Sequence, residues 1–465
     1  MPIGWVALTL TLFPLVCAAE EPTIEGGGLL QRLERRPPRV DRILHSPPAL
    51  RLRYLRRVRA EAVSQHPVHS ADELVLSLRT LLSAELTGRP FRFLVEAIDA
   101  RTYFASNEAT LSNAHTNPFD LLQARVEFRG QDVFARDAQL RTRVGRFTMD
   151  LGSRRLLARN RFRNTINSFA GLDAEWTSAT GQVARVFAVA PVLRRPSDSQ
   201  RLRRNLSQAD RVSEGTLVLG LWFKSREFFG AHGELALLGL SERDTPWQTT
   251  LSRRLLTASA RLVRDAETGW VGEIEGAGQW GTSRDSRDAT RDLAHRAAFV
   301  HLAIGWSADL LWRPRITVEY DFVSGDRRQG DGKQQRFDTL YGARRFDFGP
   351  TGLFGMLARS NLSAPALRLG VVPTKKLSAM IGLRAAWLAS ARDVYSLTGV
   401  RVGDGSAGAR LGQQLESRLR LRLVPGLFSL EAGAAYFVSG RFLRRSAAAR
   451  LGNPRFAYLQ TVIDL

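Results

Sequence analysis

The feature that most constrains the fold is a two-residue alternation of apolar and charged side chains near the carboxyl terminus. In the segment 415–423, one face of an extended chain carries, in order, Glu416, Arg418, Arg420 and Arg422. The leucines of the segment lie on the opposite face, because side chains alternate between the two faces of a strand. A helix would instead space its apolar residues three and four positions apart. The segment therefore predicts a β-strand with one apolar and one cationic face.

The same alternation recurs in segments spread over the chain. Mostly apolar residues occupy every second position in 74–82, 122–128, 140–144 and 459–465. The opposite faces of the first three segments, and of 51–57, carry Arg53, Arg79, Arg125 and Arg143. A soluble sheet with one solvated face alternates in the same way. Arginine on so many polar faces, with short turns such as 424–426 between long polar stretches, is more typical of an outer-membrane barrel.

The spacing of these segments indicates an all-β fold. We expect a transmembrane antiparallel β-barrel of about 18 strands, with short periplasmic turns, long outer loops and an aqueous lumen. Candidate strands lie near 50–60, 73–86, 90–101, 121–128, 138–147, 166–177, 181–192, 216–224, 232–241, 255–265, 268–281, 295–307, 312–323, 365–372, 375–390, 410–424, 426–440 and 455–465. The longest predicted loops are 195–214, 282–293, 324–350 and 392–409.

The amino terminus predicts export from the cytoplasm. An apolar run from Ile3 to Val16 leads into Cys17-Ala18-Ala19, with small residues where a signal peptidase cleaves. We therefore expect a signal peptide at 1–19, a flexible periplasmic lead-in at 20–48 and the barrel at 49–465. Acylation of Cys17, as in a lipoprotein, is less favoured because Val16 is large for the preceding position. Since Cys17 is the only cysteine, the mature chain would have no disulfide and no thiol nucleophile.

The charge of the chain is strongly basic, with 67 Lys and Arg against 45 Asp and Glu, a formal net charge of +22. Such an excess often indicates nucleic-acid binding, but the export signal and the lack of any nucleic-acid-binding motif argue against it. The mean hydropathy of −0.18 is low for a helical membrane protein. Beyond the export signal, no apolar run approaches the ~20 residues of a membrane-spanning helix.

Ten short motifs resemble the alginate-export family of outer-membrane barrels and follow the family's order from about residue 50 to 465. They are Gly145-Arg146, Gly152-Ser153-Arg154-Arg155-Leu156, Arg161-Phe162-Arg163-Asn164-Thr165, Trp312-Arg313-Pro314-Arg315, Val318-Glu319-Tyr320-Asp321, Ser324-Gly325-Asp326, Phe337-Asp338-Thr339-Leu340-Tyr341, Asp393-Val394-Tyr395, Gly412-Gln413-Gln414-Leu415 and Gly440-Arg441-Phe442-Leu443. The resemblance implies the outer membrane of a Gram-negative bacterium and the secretion of an anionic polysaccharide.

The chain resembles a divergent member of this family. The family's Gly-Arg-Gln turn is here Gly145-Arg146-Phe147, the acidic residue after Gly-Gln is displaced to Glu416, and the terminal aromatic residue is Leu465. The family's pore arginines map onto Arg79 and Arg125. A further arginine pair maps onto Glu431 and Gly433, so the resemblance implies that this part of the cationic ring is missing.

We predict a pore lined with arginine. The candidate pore-lining and anion-binding residues are Arg53, Arg79, Arg125, Arg143, Arg146, Arg418, Arg420 and Arg422. A guanidinium group is always charged and pairs with a carboxylate through two hydrogen bonds. Fixed positive charge in a pore lowers the barrier for anions. In the alternative interpretation, these arginines pair with lumenal glutamates and form structural ladders.

The expected function is that of a secretion porin for an alginate-like anionic exopolysaccharide. We expect a monomer in outer-membrane lipid, with periplasmic polysaccharide-export proteins as candidate partners. An anion-selective diffusion porin for small solutes fits the same residues, and the sequence leaves both functions open. We expect no nucleotide cofactor, since the two GxGxxG matches, 276–281 and 403–408, do not join a strand to a helix. The scattered histidines predict no metal site, and no serine with a placed histidine and aspartate indicates an enzyme.

Overall fold

The structure, a computed structural model, describes residues 49–69, 71–106, 111–446 and 452–465. The predicted signal peptide (1–19) and lead-in (20–48) lie outside the described residues. The described strands are β1 (Ala49–Ser64), β2 (Glu73–Thr87), β3 (Phe91–Tyr103), β4 (Asn117–Gln131), β5 (Gln139–Phe147), β6 (Phe169–Thr177), β7 (Val183–Leu193), β8 (Arg211–Val212), β9 (Thr216–Lys224), β10 (Ala231–Glu242), β11 (Arg254–Arg264), β12 (Gly269–Ser283), β13 (Leu293–Ser307), β14 (Arg315–Val323), β15 (Lys333–Gln334), β16 (Leu362–Thr374), β17 (Leu377–Trp387), β18 (Arg410–Val424), β19 (Phe428–Ser439) and β20 (Arg455–Asp464). The described helices are α1 (Ser199–Arg203), α2 (Arg345–Phe348) and α3 (Arg441–Arg445), and none is long and apolar enough to cross a membrane.

Eighteen of the described strands form one closed wall. Each pairs antiparallel with the next strand of the wall, and β20 pairs back onto β1, where Val58 lies opposite Thr461. The two-residue strands are not part of the wall, since β8 pairs with the end of β7 and β15 with the start of β13. A closed wall satisfies the backbone hydrogen bonds of every strand and leaves no edge. The prediction of an eighteen-stranded antiparallel barrel is confirmed.

The connections between strands differ in length at the two rims. One rim carries short turns, such as 375–376 and 425–427, together with the start of β1 and the end of β20. The other rim carries long loops, including 148–168, 194–215, 324–361 and 388–409. Short turns are periplasmic and long loops extracellular in outer-membrane barrels. The short-turn rim therefore faces the periplasm, as predicted.

The two faces of the wall differ in chemistry. Leu415 and Leu419 of β18 are 44% and 49% exposed on the outer surface, whereas Glu416 is 7% exposed and faces the lumen. At the short-turn rim, Trp270 and Trp306 pack edge to face on the outer surface, with ring centroids 5.1 Å apart. Aromatic residues in this position mark the membrane interface. The apolar outer face and charged lumenal face predicted for 415–423 are confirmed.

The prediction that Leu122 lies on the outer face of the barrel is wrong. The pairing of β3 with β4 shifts register just after Glu96, and Leu122 is 2% exposed, packed against Ile98 and Ile166 inside the barrel. A β-bulge adds one residue to a strand and changes the direction of the neighbouring side chains. The apolar outer face expected for 122–128 therefore begins only after the bulge.

Two long loops, 148–168 and 324–361, fold into the lumen and are called the inward loops below. They contribute Phe162, Phe348 and Phe354 to an apolar core that also contains lumen-facing aromatic residues of the wall. Burial of apolar surface stabilises this arrangement by about 25 cal/mol for each Å² removed from water. The inward loops therefore narrow the wide aqueous lumen that the number of strands predicts.

Candidate functional site

A cavity of about 300 Å³ lies beside the short-turn rim and is called the cationic cavity below. Its wall consists of β1, β2 and β3 on one side and of β18, β19 and β20 on the other. The two sides are neighbours because β20 closes the barrel onto β1. Its inner boundary consists of Arg159, Arg161 and Phe162 from one inward loop and Arg345 of α2 from the other. Barrel closure thus places the first and last strands around one site.

The charge of the cationic cavity is strongly unbalanced. Among its described lining residues, nine are arginines: Arg53, Arg57, Arg79, Arg159, Arg161, Arg345, Arg418, Arg420 and Arg422. Three are carboxylates: Glu96, Glu431 and Asp464. Nine positive minus three negative charges gives a formal charge of +6. Like charges inside low-dielectric walls concentrate counter-ions, so the electrostatic potential of this cavity favours anions.

Five of the eight predicted arginines line the cationic cavity: Arg53, Arg79, Arg418, Arg420 and Arg422. Arg53 donates from Nε and Nη2 to the two carboxylate oxygens of Asp464, at 2.7 and 2.6 Å. Arg420 donates from Nε to Glu431 at 2.7 Å. These pairs hold two guanidinium groups in fixed orientations at the periplasmic end of the lumen.

Arg79 also positions an inward loop. It donates from Nη1 to the carbonyl oxygens of Arg161 and Arg163, at 2.8 and 3.0 Å. Arg57, on the neighbouring strand, donates to the carbonyl oxygens of Arg161 and Phe162, both at 3.0 Å. Because wall arginines bind the backbone of this loop, the loop stays at the edge of the cavity and the side chain of Arg161 lines it.

The structure places the other three predicted arginines elsewhere, in contacts with acidic or polar side chains. Arg143 donates from Nε and Nη2 to Asp173 at 2.9 and 2.6 Å. Arg146 lies 3.0 Å from Asp210 and 3.3 Å from Asp120. Arg125 donates to Gln123 at 2.8 Å and lies 3.7 Å from Glu127. The contacts of these three match the structural ladder of the alternative interpretation, and inside the cavity Arg53 and Arg420 form cross-strand ion pairs of the same kind.

Four cavity arginines were missing from the predicted set: Arg57, Arg159, Arg161 and Arg345. Arg57 could have been included, because it shares the polar face of β1 with Arg53. Arg161 belongs to a motif of the family resemblance, but no pattern indicated where its side chain lies. Arg159 and Arg345 reach the cavity only because their loops fold inward. The alternation of residues in strands does not predict how a loop folds.

Arg345 connects an inward loop with the wall. It donates to Tyr458 Oη at 3.2 Å and to Glu416 at 3.4 Å, and its guanidinium lies 4.7 Å from the ring centroid of Phe162. Burial alone would lower the pKa of Arg345, but Tyr458 and the carboxylates of Glu416 and Glu431 raise it above its usual value. Arg345 therefore stays charged at the inner boundary of the cavity.

The positions where the resemblance implies missing arginines have cationic neighbours. Glu431 lies opposite Arg420 in the β18–β19 register, and Gly433 lies opposite Arg418. β18 thus carries two arginines at the height in the wall where the neighbouring strand, β19, lacks the arginine pair of the family. Positive charge is retained in this part of the lumen, with Glu431 as an added carboxylate.

A second arginine of the inward loops, Arg155, forms a buried ion-pair network. Its Nε and Nη2 donate to the two oxygens of Asp347 in α2, at 3.0 and 2.9 Å. Its Nη1 donates to Glu275 of β12 at 2.6 Å and also to Glu273. Burial alone would raise the pKa of Asp347, but Arg155 and Arg359 hold it below its usual range. Arg155 thus joins both inward loops to the wall.

Histidines hold one inward loop from the extracellular side. His66 Nε2 lies 2.6 Å from the carbonyl oxygen of Phe354, and His69 Nε2 lies 3.0 Å from that of Leu353. The two imidazole rings are 4.7 Å apart. Burial, and then the neighbouring His69, lowers the pKa of His66 from 6.5 to about 3. Burial also lowers the pKa of His69, so both rings are neutral in the folded protein at pH 7.

We expect acidification to release this loop. A histidine whose pKa is lowered by folding stabilises the fold fully above its unfolded pKa of about 6.5, and this contribution is lost as the pH falls toward 3. Single-channel conductance should therefore change between pH 6.5 and 4. In the triple variant His66→Gln, His69→Gln, His115→Gln, which also removes the buried His115 whose pKa is lowered by burial to about 4, the change should be much smaller. An identical pH dependence in this variant would contradict the assignment.

Comparison with known proteins identifies a family and a fold. The family model described as alginate export matches residues 49–456. No curated protein matches the chain. Among solved structures, OpdO of Pseudomonas aeruginosa is 14% identical, with 90% of this chain and 97% of that chain covered and a TM-score of 0.55.

Two further solved structures share the fold. OccAB1 of Acinetobacter baumannii is 11% identical, with 90% of this chain and 96% of that chain covered and a TM-score of 0.57. OccK2 (OpdF) of P. aeruginosa, solved in complex with glucuronate, is 12% identical, with 90% and 98% covered and a TM-score of 0.54. At these identities the likeness shows the fold, that of an outer-membrane barrel.

Proposed function

This chain belongs to the alginate export family of the Gram-negative outer membrane, and on that premise we propose that it secretes an anionic, uronate-type polysaccharide. The observation that carries the proposal is the cationic cavity at the periplasmic rim, with nine arginines and three carboxylates among its described lining residues. A polymer leaving the periplasm reaches this cavity first. In a protein that only takes up anions, we would expect the positive charge at the extracellular rim, where the solute enters.

The chemistry of the cavity suits a carboxylate on every sugar. Arg418, Arg420 and Arg422 stand about 6.5–7 Å apart along one face of β18, since alternate residues are separated by twice the strand rise. A uronate chain can exchange carboxylates from one guanidinium to the next. The carboxylates of Glu431 and Asp464, which already pair with Arg420 and Arg53, compete with the polymer and limit how tightly it binds. Glucuronate in the neighbouring structure of OccK2 is such a uronate sugar.

A second candidate function is the diffusion of small anions. The inward loops favour it, because Arg155 joins both of them to the wall through buried ion pairs and they narrow the lumen. The cationic cavity, at about 300 Å³, is at the lower end of the roughly 300–1,000 Å³ typical of small-ligand sites. Export of a polymer requires the inward loops to move aside, whereas passage of a monosaccharide requires a smaller movement of these loops.

Planar-bilayer recording tests both functions. In a salt gradient, we expect a reversal potential that shows preference for chloride over potassium, because the cavity carries excess fixed positive charge. Oligouronates should block the current more strongly from the periplasmic side than from the extracellular side, and for longer as chain length increases. Block that saturates at a monosaccharide would favour the small-anion channel. Preference for cations would contradict both functions.

Matched neutral oligosaccharides of equal length serve as the control for size. They should cause much less block in the cationic cavity, because they carry no carboxylate to pair with arginine. If reversing the charge of the cavity arginines weakens block by anionic oligomers no more than block by neutral oligomers of equal length, the arginines of the cavity do not select the solute.

A further inference from the structure

A second cavity, of about 220 Å³, lies against the opposite wall of the lumen. It is bounded by β9 to β12 near the short-turn rim, by residues 152–155 of one inward loop and by Phe346 of α2. Its described lining residues do not overlap with those of the cationic cavity. Both inward loops contribute to both cavities, through Arg161 and Arg345 in the first and through Arg155 and Phe346 in the second.

Charge in the second cavity is nearly balanced. Its described lining residues include the cations Arg154, Arg155, Lys224 and Arg261 and the carboxylates Glu234, Asp265 and Glu273. Four positive minus three negative charges gives +1, against +6 in the cationic cavity. A ligand that carries a carboxylate therefore gains far less electrostatic attraction here.

Ion pairs fix the donors and acceptors of this cavity. Arg261 donates from Nη1 to Glu234 and from Nε to Glu273, both at 2.8 Å. His232 Nε2 lies 3.1 Å from Glu234. A sugar hydroxyl both donates and accepts hydrogen bonds. Alternating carboxylates and cationic donors match a ring of hydroxyl groups better than they match a simple ion.

Trp222 provides an aromatic surface beside these polar groups. It lies on the lumenal face of β9 and is partly exposed. Gly152 allows the inward loop to approach it closely, at a φ of +48°. A Cβ at Gly152 would lie 3.2 Å from Trp222 Nε1 and 2.5 Å from Glu234 Oε2. The other aromatic ring of the cavity, Phe346, is already faced by the guanidinium of Arg154 at 5.0 Å.

We propose that the second cavity is a subsite for an uncharged sugar unit, which would stack on Trp222 and form hydrogen bonds with Glu234, His232 and Lys224. An aromatic surface flanked by fixed donors and acceptors suits a pyranose ring, which has an apolar C–H face and a polar rim. The volume of about 220 Å³ fits about one monosaccharide. This volume is below the range typical of sites for drug-sized ligands. The inference rests on the proposed function only in taking the solute to be a saccharide.

The test uses a neutral sugar, so that the two proposals can fail separately. Maltotriose added to the periplasmic side of reconstituted channels should cause brief current blocks. In Trp222→Ala, the residence time should fall by about five- to tenfold, the effect expected for the loss of one aromatic contact. The salt-gradient reversal potential, which reports the arginines, should stay unchanged in the same variant.

Two further variants keep the experiment decisive. Trp222→Leu retains apolar bulk without the flat ring, and it carries the test if the alanine variant does not insert. Trp270→Ala, in which the ring removed is 60% exposed on the lipid face at the same rim, should leave block by maltotriose unchanged. The subsite is overturned if maltotriose does not block the native channel, or if removing the Trp222 ring leaves its residence time unchanged. If the native channel shows no anion selectivity, the proposed function is overturned and the subsite for the neutral sugar is not affected.

Discussion

Replacing Arg418, Arg420 and Arg422 by glutamate should abolish the anion preference of the channel. Each replacement removes one positive charge from the cationic cavity and adds one negative charge, so the three together lower its formal charge from +6 to zero. Block by oligouronates should weaken by at least tenfold, equivalent to about 1.4 kcal/mol. That is a modest loss for hydrogen bonds to charged groups, which contribute about 1.5–3 kcal/mol each. Reversal potentials and block kinetics in planar bilayers measure both effects.

The triple variant should still insert, because charged substitutions on the lumenal face avoid the penalty of the lipid face. Heat-modifiable migration on gels checks this. A matched control replaces Arg204, Arg243 and Arg287 by glutamate, which changes the net charge equally at exposed positions outside the inward loops. The control should keep anion preference and block close to native values. If the cavity variant inserts and both properties are unchanged, the arginines of β18 are structural and the solute passes elsewhere.

The strands were predictable because each has one lipid face and one lumenal face. The bounds of β9 (Thr216–Lys224) and β18 (Arg410–Val424) coincide with the predicted segments 216–224 and 410–424. A two-residue period that must match two different solvents is a strong constraint on sequence. The bulge at Leu122 escaped prediction because the alternation of 122–128 is continuous in sequence and the register shift arises only from pairing with β3.

The candidate site was predictable in part. Alternation identifies which side chains face the lumen, but it does not give their position around the barrel. Arg418 and Arg53 line the same cavity because β20 closes onto β1. Closure of the barrel is enough to predict that these strands are near each other. Arg143 lies on the same kind of face, yet pairs with Asp173 on the neighbouring strand. Arg420 of the cavity also pairs with a carboxylate on the next strand, so only the three-dimensional position around the barrel separates an arginine of the cavity from one outside it.

The inward loops could not be predicted from periodicity. Loop 324–361 was expected to end at 350 and to be polar and external, but it continues to 361 and contains α2, whose four residues are all buried. Apolar residues such as Phe348 and Phe354 are a weak signal for this, because isolated aromatic residues also occur in exposed loops. The contribution of Arg345 to the cavity depends entirely on this inward packing.

Replacing Arg155 by methionine should release the inward loops and increase the single-channel conductance. Removal of one partner from a buried ion pair costs about 3–5 kcal/mol, because the remaining charge is left without compensation. Here the carboxylates of Asp347, Glu273 and Glu275 would remain inside the lumen, with one cation fewer among them: Asp347 would keep Arg359 and Glu273 would keep Arg261. The least costly response is for α2 to move its carboxylate back to water, which leaves the hydrogen-bonded wall intact. We therefore expect larger openings and more current noise in a barrel that still shows heat-modifiable migration.

Three comparisons make this result specific to the network. Arg155→Lys keeps the charge but loses the paired donors that bind both oxygens of Asp347, so its conductance should lie between the native and methionine values. Arg204→Met, in an exposed part of loop 194–215, should behave as the native channel. In a background with His66, His69 and His115 replaced by glutamine, lowering the pH below the usual range of carboxylate pKa values should reduce the difference made by Arg155→Met, because protonation neutralises the carboxylates that lost Arg155. Unchanged conductance in an inserted Arg155→Met channel would mean that apolar packing alone keeps the loops in the lumen, and export of a polymer would then require a different opening.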